Sequence, residues 1–401
     1  MAVNEAISHH KGCRDSFVRN MTKGVLRDTV QLDYLADKLA SGGIRSIRRR
    51  PLIIIRMGLY ALRSLDSVPD HAAVNEAVEL SRKAARGNDR FINAVLRSYI
   101  RRKDELEESI SSGNAALRYS FPDPVADLIS SQYGDEAEQI MAGLNSPPPV
   151  VLRVNTLRVT RKELADELKS EGIQISPAAE SERALIAEGG RILGSESYRK
   201  GLFTIQSLSS IMAVEALNPS PGSKILDMCA APGGKTTMMA EMMGGTGDIT
   251  ACDIHPHRLE LIEASAARLG ISCIRTRLLD GTEFDPSMEN MYDYVLADVP
   301  CSGLGVIGTK PEIRLRTDPG RYDELYEVQL SILQNAVRYA RPGGIVEYST
   351  CTINRNENER IVYKMAENFS LASILEMHSI LPYNNLVGFY YCIIKKDAEF
   401  I

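Results

Sequence analysis

The chain has 401 residues, 44% apolar and 25% charged, a globular composition with too much chain for a single core. Arg56 and Arg63 break the most apolar stretch, residues 51–65, so nothing approaches the roughly 18 uninterrupted apolar residues of a membrane span. Residues 1–14 carry His9, His10, Lys11 and Arg14 where a secretory signal needs an apolar run, so a cytoplasmic protein of roughly two to four domains is expected.

The net charge of −5 hides a division. Residues 1–103 hold 20 basic and 10 acidic side chains, and the remainder 27 basic and 42 acidic, so a basic module of +10 precedes an acidic one of −15. The clusters Arg45, Arg48, Arg49, Arg50 and Arg97, Arg101, Arg102, Lys103 suit a phosphate backbone, and a nucleic acid is the partner expected of them. A solvated helical face is the competing reading. The seven cysteines, at 13, 229, 252, 273, 301, 351 and 392, form no CxxC pair, and their odd number argues against a disulfide framework. The six histidines form no HExxH, so no metal is expected.

Along the chain, residues 15–103 show helical periodicity, as in Leu52, Ile55, Leu59 and Leu62, and predict an all-helical domain over 1–105. Connecting helices follow, with an acidic one at 135–144. The run Asn145-Ser146-Pro147-Pro148-Pro149 cannot continue a helix and marks a boundary at 149. Residues 150–203 read as a small α/β unit: a strand at 150–155, a capping-box helix start at Thr160 and Glu163, a stop at Gly172 and a strand at 173–175. From 204 to 401, strands at 224–227, 248–252, 292–296, 345–348 and 389–394 alternate with helices at 235–243, 258–269 and 322–340. That alternation predicts a mostly parallel, Rossmann-like sheet covered by helices on both faces.

Ligands of such sheets sit beyond the carboxyl ends of the strands. There the sequence places Cys229-Ala230-Ala231-Pro232-Gly233-Gly234-Lys235, then Asp253, Asp280, Asp298-Val299-Pro300-Cys301 and Ser349-Thr350-Cys351. The glycine pair permits a tight turn with a bare backbone. A phosphate-binding P-loop would need glycine at position 229, which is cysteine. Asp253 stands 20 residues beyond Gly233, the separation at which an acid reaches a ribose hydroxyl pair, so a nucleoside cofactor fits, with a purely structural turn as the competing reading. Asp280 precedes Gly281 and suits either an adenine amino group or an Asp-Gly turn. Asp298 can hold a cation. Cys301 and Cys351 are two thiols at neighbouring strand ends, although a single cysteine is usually only a small buried apolar group.

These residues resemble a known family. Residues 225–237, Asp298-Val299-Pro300-Cys301-Ser302-Gly303 and Tyr348-Ser349-Thr350-Cys351-Thr352 with Asn356-Glu357-Asn358-Glu359 look like the S-adenosylmethionine-dependent RNA cytosine-C5 methyltransferases, within them the RsmB/Sun group acting on small-subunit ribosomal RNA. The likeness covers nearly the whole chain. Residues 67–80 with 91–96 resemble the group's N-terminal NusB-like domain, and residues 201–206 its entry into the catalytic domain. It implies an all-α NusB-like domain, a small α/β, RRM-like subdomain at 150–203 and a class I methyltransferase domain. It also implies S-adenosylmethionine against Cys229, Ala230, Ala231, Pro232, Gly233, Gly234 and Lys235, with Asp253 on the ribose and Asp280 on the adenine side. Asp298 would face the methionine end and the target base, Cys351 would be the nucleophile, and Cys301 would help release the product. Val299 and Ser207 depart from the family's usual alanine and acid, which touches positioning and removes no reacting atom.

The chemistry explains two thiols. Cytosine C5 is a poor nucleophile, and a thiolate added at C6 turns it into an enamine carbon able to attack a sulfonium methyl. Since a free thiol is only a few per cent ionised at neutral pH, the site must favour the anion, and Lys235 is the expected cation. The base must be unpaired or flipped outward. A DNA-type enzyme would exchange the roles of Cys301 and Cys351. The sequence is also compatible with a transfer-RNA cytosine methyltransferase or with a non-catalytic RNA-binding assembly factor. A monomer is expected.

Overall fold

The structure is a computed structural model describing residues 15–316, 319–369, 372–384 and 386–397. The stretch 1–14, read above for a secretory signal, and Cys13 lie outside them. The chain forms two compact units, residues 1–145 with 307–317, and residues 146–306 with 318–401.

The first unit is helical. Asp15–Arg27, Thr29–Leu39, Arg49–Ser64, Asp70–Ala84 and Asp89–Arg101 lead to the shorter helices Lys103–Ser111, Ala115–Arg118, Asp123–Tyr133 and Ala137–Asn145. Leu32, Leu35, Ile55, Leu59, Ile92, Leu96 and Tyr99 are spaced three or four apart on their helices and are completely buried. Polar contacts tie this core together: Arg63 reaches both oxygens of Glu107 (2.7 and 2.8 Å), which also accepts from the Tyr99 hydroxyl (2.7 Å). The segment 307–317 joins this unit through Arg314, whose guanidinium donates to the carbonyls of Arg27 (2.7 Å) and Ser120 (2.8 Å) and to Asn145, and stacks on Phe121.

The second unit carries two sheets. A four-stranded antiparallel sheet has the order β2-β3-β1-β4, where β1 is Val150–Val154, β2 Gln174–Pro177, β3 Ala184–Glu188 and β4 Phe203–Ile205. The helix Arg161–Ser170 begins in the expected capping box of Thr160 and Glu163 and buries Leu164 and Leu168 beneath the sheet. The strands β3 and β4 escaped the sequence reading, because Ala-Leu-Ile-Ala-Glu suits a helix as well and three residues are too few to show a period.

The larger sheet is mixed, in the order β10-β11-β9-β8-β5-β6-β7. Strands β5 (Lys224–Asp227), β6 (Asp248–Asp253), β7 (Ile274–Leu278), β8 (Tyr292–Asp298) and β9 (Ala340–Thr350) are parallel; β10 (Ala372–Ile380) and β11 (Phe389–Lys396) add an antiparallel edge. The helices Leu208–Leu217, Gly234–Met242 and Pro256–Leu269 cover one face, and Pro319–Tyr339 with Glu359–Asn368 the other. The sequence marks the edge strand β7 only by its end before Asp280 and does not mark β10, because both are largely exposed: β7 carries Arg275 and Arg277, and β10 carries Glu376 and His378. Among the described residues no helix is long and apolar enough to cross a membrane.

Candidate active site

The carboxyl ends of β5, β6, β7, β8 and β9 share one edge of the sheet. After β5 the chain turns sharply into the helix Gly234–Met242. Gly233 makes the turn at φ 98°, and a Cβ there would also press on the backbone of Ile262 at 3.3 Å, so glycine is required twice over. The turn is held from several sides: Ala230 N–H donates to the Cys252 carbonyl (2.8 Å) and Arg258 to the Ala231 carbonyl (3.0 Å). Arg153 of β1, fully buried, donates to the Gly234 carbonyl (2.5 Å), to Gln206 and to both oxygens of Glu241 (2.9 and 2.8 Å). Its one sequence signal was a charge inside the apolar run Val150-Val151-Leu152-Arg153-Val154, and the sequence reading overlooked it.

Lys235, the second residue of that helix, sends its ammonium to Asp298 Oδ2 at 2.6 Å and over the Phe389 ring. Burial works against the charge, but the Asp298 carboxylate beside it holds the Lys235 pKa above the ordinary lysine value. Asp298 Oδ1 accepts from the Ser349 hydroxyl at 3.0 Å. The cation expected to attract a thiolate is therefore bound first to a carboxylate.

Asp253 closes β6, is 3% exposed, and meets the His255 N–H (3.0 Å) and the Arg258 guanidinium (3.1 Å). Asp280 follows β7; its Oδ1 accepts from the Thr282 N–H (3.0 Å) and hydroxyl (2.6 Å), the side-chain turn that Asp-Gly favours. Asp227 of β5 is buried, which pushes its pKa up to about 7 although the Thr236 hydroxyl donates to it.

The two thiols meet. Cys301 Sγ and Cys351 Sγ are 3.3 Å apart and both side chains are half-buried, so neither is sealed in the core. The hydrogen bond with Cys351, together with burial, holds the Cys301 thiol well above its ordinary pKa, and either sulfur can be the donor of that contact. Burial likewise raises the Cys229 thiol, beside Asp227.

Backbone contacts fix both loops. The Gly305 N–H donates to the Cys351 carbonyl (3.1 Å) and the Gly388 N–H to the Gly305 carbonyl (2.9 Å); a Cβ on Gly305 would overlap the Gly388 carbonyl. Glu357, 1% exposed, accepts from the Ser302 N–H (2.7 Å), Gln329 (3.0 Å) and Asn354 (3.0 Å), while Asn358 joins the Thr350 hydroxyl (2.6 Å) to the Thr352 carbonyl (3.1 Å). Sequence reasoning noted 356–359 as a pattern without seeing that it clamps the segments around Cys301 and Cys351. It also missed Glu347, two residues before Ser349 on the same face of β9. That side chain is fully buried, neither oxygen has a donor at full hydrogen-bond geometry, and burial raises its pKa well above the carboxylate range, with Lys235 and the Ser349 hydroxyl offsetting only part. Among the described residues no group of acids, cysteines and histidines could hold a metal ion.

Three family models match successive stretches of the chain. The family model described as 16S rRNA methyltransferase RsmB/F matches residues 214–382, a NusB family model matches 2–101, and a ferredoxin-like domain model of RsmF/B-like methyltransferases matches 121–191. The chain is 33% identical to the probable ribosomal RNA small subunit methyltransferase B of Bacillus subtilis, over 90% of this chain and 80% of that one. It is 31% identical to the ribosomal RNA small subunit methyltransferase B of Vibrio cholerae, over 95% and 89%. Among solved structures, a methyltransferase homolog protein from Pyrococcus horikoshii superposes with a TM-score of 0.64 at 26% identity, covering 70% of this chain and 97% of that one. The crystal structure of PH0851 shares the fold, with a TM-score of 0.82 at 22% identity over 98% and 93%.

Proposed function

The chain belongs to the RsmB/F family of 16S rRNA methyltransferases, and from that premise we propose that it methylates C5 of a cytosine in small-subunit ribosomal RNA through a covalent bond to Cys351. The methyl donor is S-adenosylmethionine, which supplies an electrophilic methyl group when bound. The residues present fit it: a glycine turn free of side chains at a helix start, the buried carboxylate of Asp253 for a ribose diol, and Asp280 one strand further along. Lys235 and Asp298 bind each other beside this turn and orient what lies between it and the thiols.

The carrying observation is the 3.3 Å contact of the two sulfurs at neighbouring strand ends. Cys351 adds as thiolate to cytosine C6, and the C5–C6 electron pair moves to make C5 nucleophilic. C5 takes the methyl group, loses its proton to a base, and the returning pair expels the Cys351 thiolate. Cys301 donates its thiol hydrogen bond to that departing sulfur. A cytosine held out of its stack suits this geometry, since stacked bases hide C6. The basic first unit contributes RNA contact, and a monomer acting in the cytoplasm accords with the reading.

The test is trapping on RNA containing 5-fluorocytosine, whose C5 has no proton to lose. Cys351→Ala is expected to abolish the protein–RNA adduct, whereas Cys301→Ala accumulates it even on ordinary RNA. The opposite pattern would exchange the two roles. Bisulfite sequencing of ribosomal RNA from cells with and without the gene identifies the cytosine; no difference in any small-subunit position would overturn the substrate.

A further inference from the structure

One concavity of the first unit, about 560 Å³, is lined by Arg48, Arg49, Arg50, Lys83 and Arg86. All five side chains are exposed, and among the described residues none has a carboxylate within ion-pair distance. Other cations of the unit are paired: Arg56 with Asp33, Arg63 with Glu107, Arg82 with Glu79 and Arg102 with Glu105. Arg45, Arg90, Arg101 and Lys103 also show no ion pair among the described residues, but the hollow gathers five such cations in one place.

The arrangement is costly. Arg48, Arg49 and Arg50 stand at the start of the helix Arg49–Ser64, whose first turn holds no acid, so three cations face the positive end of a helix dipole. Lys83 and Arg86, from the end of the helix Asp70–Ala84 and the turn beyond it, add like charge from the other side. An anion relieves all of these repulsions at once. Five cations exceed the charge of one phosphodiester, and no aromatic ring lines the hollow to stack a base, so the complementary ligand is a run of backbone phosphates.

We infer that this concavity is a phosphate-backbone site for the RNA substrate, holding the strand without reading its sequence; the inference rests on the RNA reading above. The second basic cluster of the sequence lies outside this hollow; there Arg97 hydrogen-bonds Asn93 and Arg102 pairs with Glu105, while Arg101 and Lys103 show no ion pair among the described residues.

The experiment compares the whole protein with the triple variant Arg49→Gln, Lys83→Gln, Arg86→Gln and a charge-matched control, Arg97→Gln, Arg101→Gln, Lys103→Gln. Each is titrated with protein-free small-subunit ribosomal RNA at several salt concentrations. In the first variant the slope of log affinity against log salt becomes shallower by about two, as expected for three lost phosphate contacts. The control changes little, S-adenosylmethionine affinity is unchanged by calorimetry, and the melting temperature of the first variant does not fall. An unchanged slope in the first variant, or an equal loss in the control, overturns the site while leaving the RNA reading intact. Failure of the unaltered protein to bind or methylate that RNA would sink both.

Discussion

Glu347 is the residue whose placement is hardest to reconcile with stability alone. A carboxyl with no well-formed hydrogen bond in a fully buried position is expected to be protonated, since the charged form would lose its hydration. Its raised pKa fixes the sign of its effect on folding. The stability it allows is complete below the unfolded value near 4.5 and is lost as pH rises through the folded value. Glu347→Met removes the titration and keeps the volume apolar. The urea midpoint of the variant is expected to gain on the parent as pH rises from 4.5 to 8, at most about 1.4 kcal/mol per pH unit, the limit for one proton. A constant gap across that range would show that the Glu347 pKa is not raised in the folded protein. Comparing variant with parent cancels Asp227, whose own window runs from 3.8 to about 7 with the same sign.

Between elements, the decisive contact is that of β1 with the glycine turn. One arginine joins the small sheet to the helix Gly234–Met242, and its charge is balanced by Glu241 with neither group in water. A buried pair of this kind adds little net stability, yet breaking it from one side strands the other charge. Arg153→Met is therefore expected to cost about 3–5 kcal/mol, and pairing it with Glu241→Leu to recover much of that loss. Chemical denaturation of the two single variants and the double variant measures this. If the double variant is as unstable as the sum of the singles, the two groups are not coupled. S-adenosylmethionine affinity should fall in Arg153→Met as well, because the Gly234 carbonyl loses the donor that holds the turn.

For the molecule as a whole, the connection at 307–317 changes how the two units can be separated. Deleting residues 1–103 looks from the sequence like a clean removal of a basic module. It also removes the helix Asp15–Arg27, and with it the Arg27 carbonyl that Arg314 binds. Substitutions in the basic hollow are thus a better test of RNA contact than truncation. Arg314→Ala is expected to raise hydrogen-exchange rates in 307–317 and at the end of the helix Asp15–Arg27 by tenfold or more, equivalent to about 1.4 kcal/mol of local stability. Unchanged protection in both segments would mean that backbone packing alone holds the insertion.

Much of this could be read in the order of residues. Periodicity marked the helical first unit, the prolines at 147–149 a boundary, and the alternation after 204 a sheet whose strand ends carry acids and thiols. Those are local signals, carried by neighbours along the chain. Edge strand β10 stayed hidden and β7 showed only through Asp280 at its end, because their side chains face water and need no apolar pattern. The 3.3 Å meeting of Cys301 with Cys351, fifty residues apart, depends on β8 and β9 lying parallel and adjacent. Likewise the clamp of Glu357, the reach of Arg153 to the glycine turn and the choice of which arginines remain unpaired exist only after packing. Pairing of charges and thiols is a property of distance in space, and sequence spacing constrains that distance only within an element.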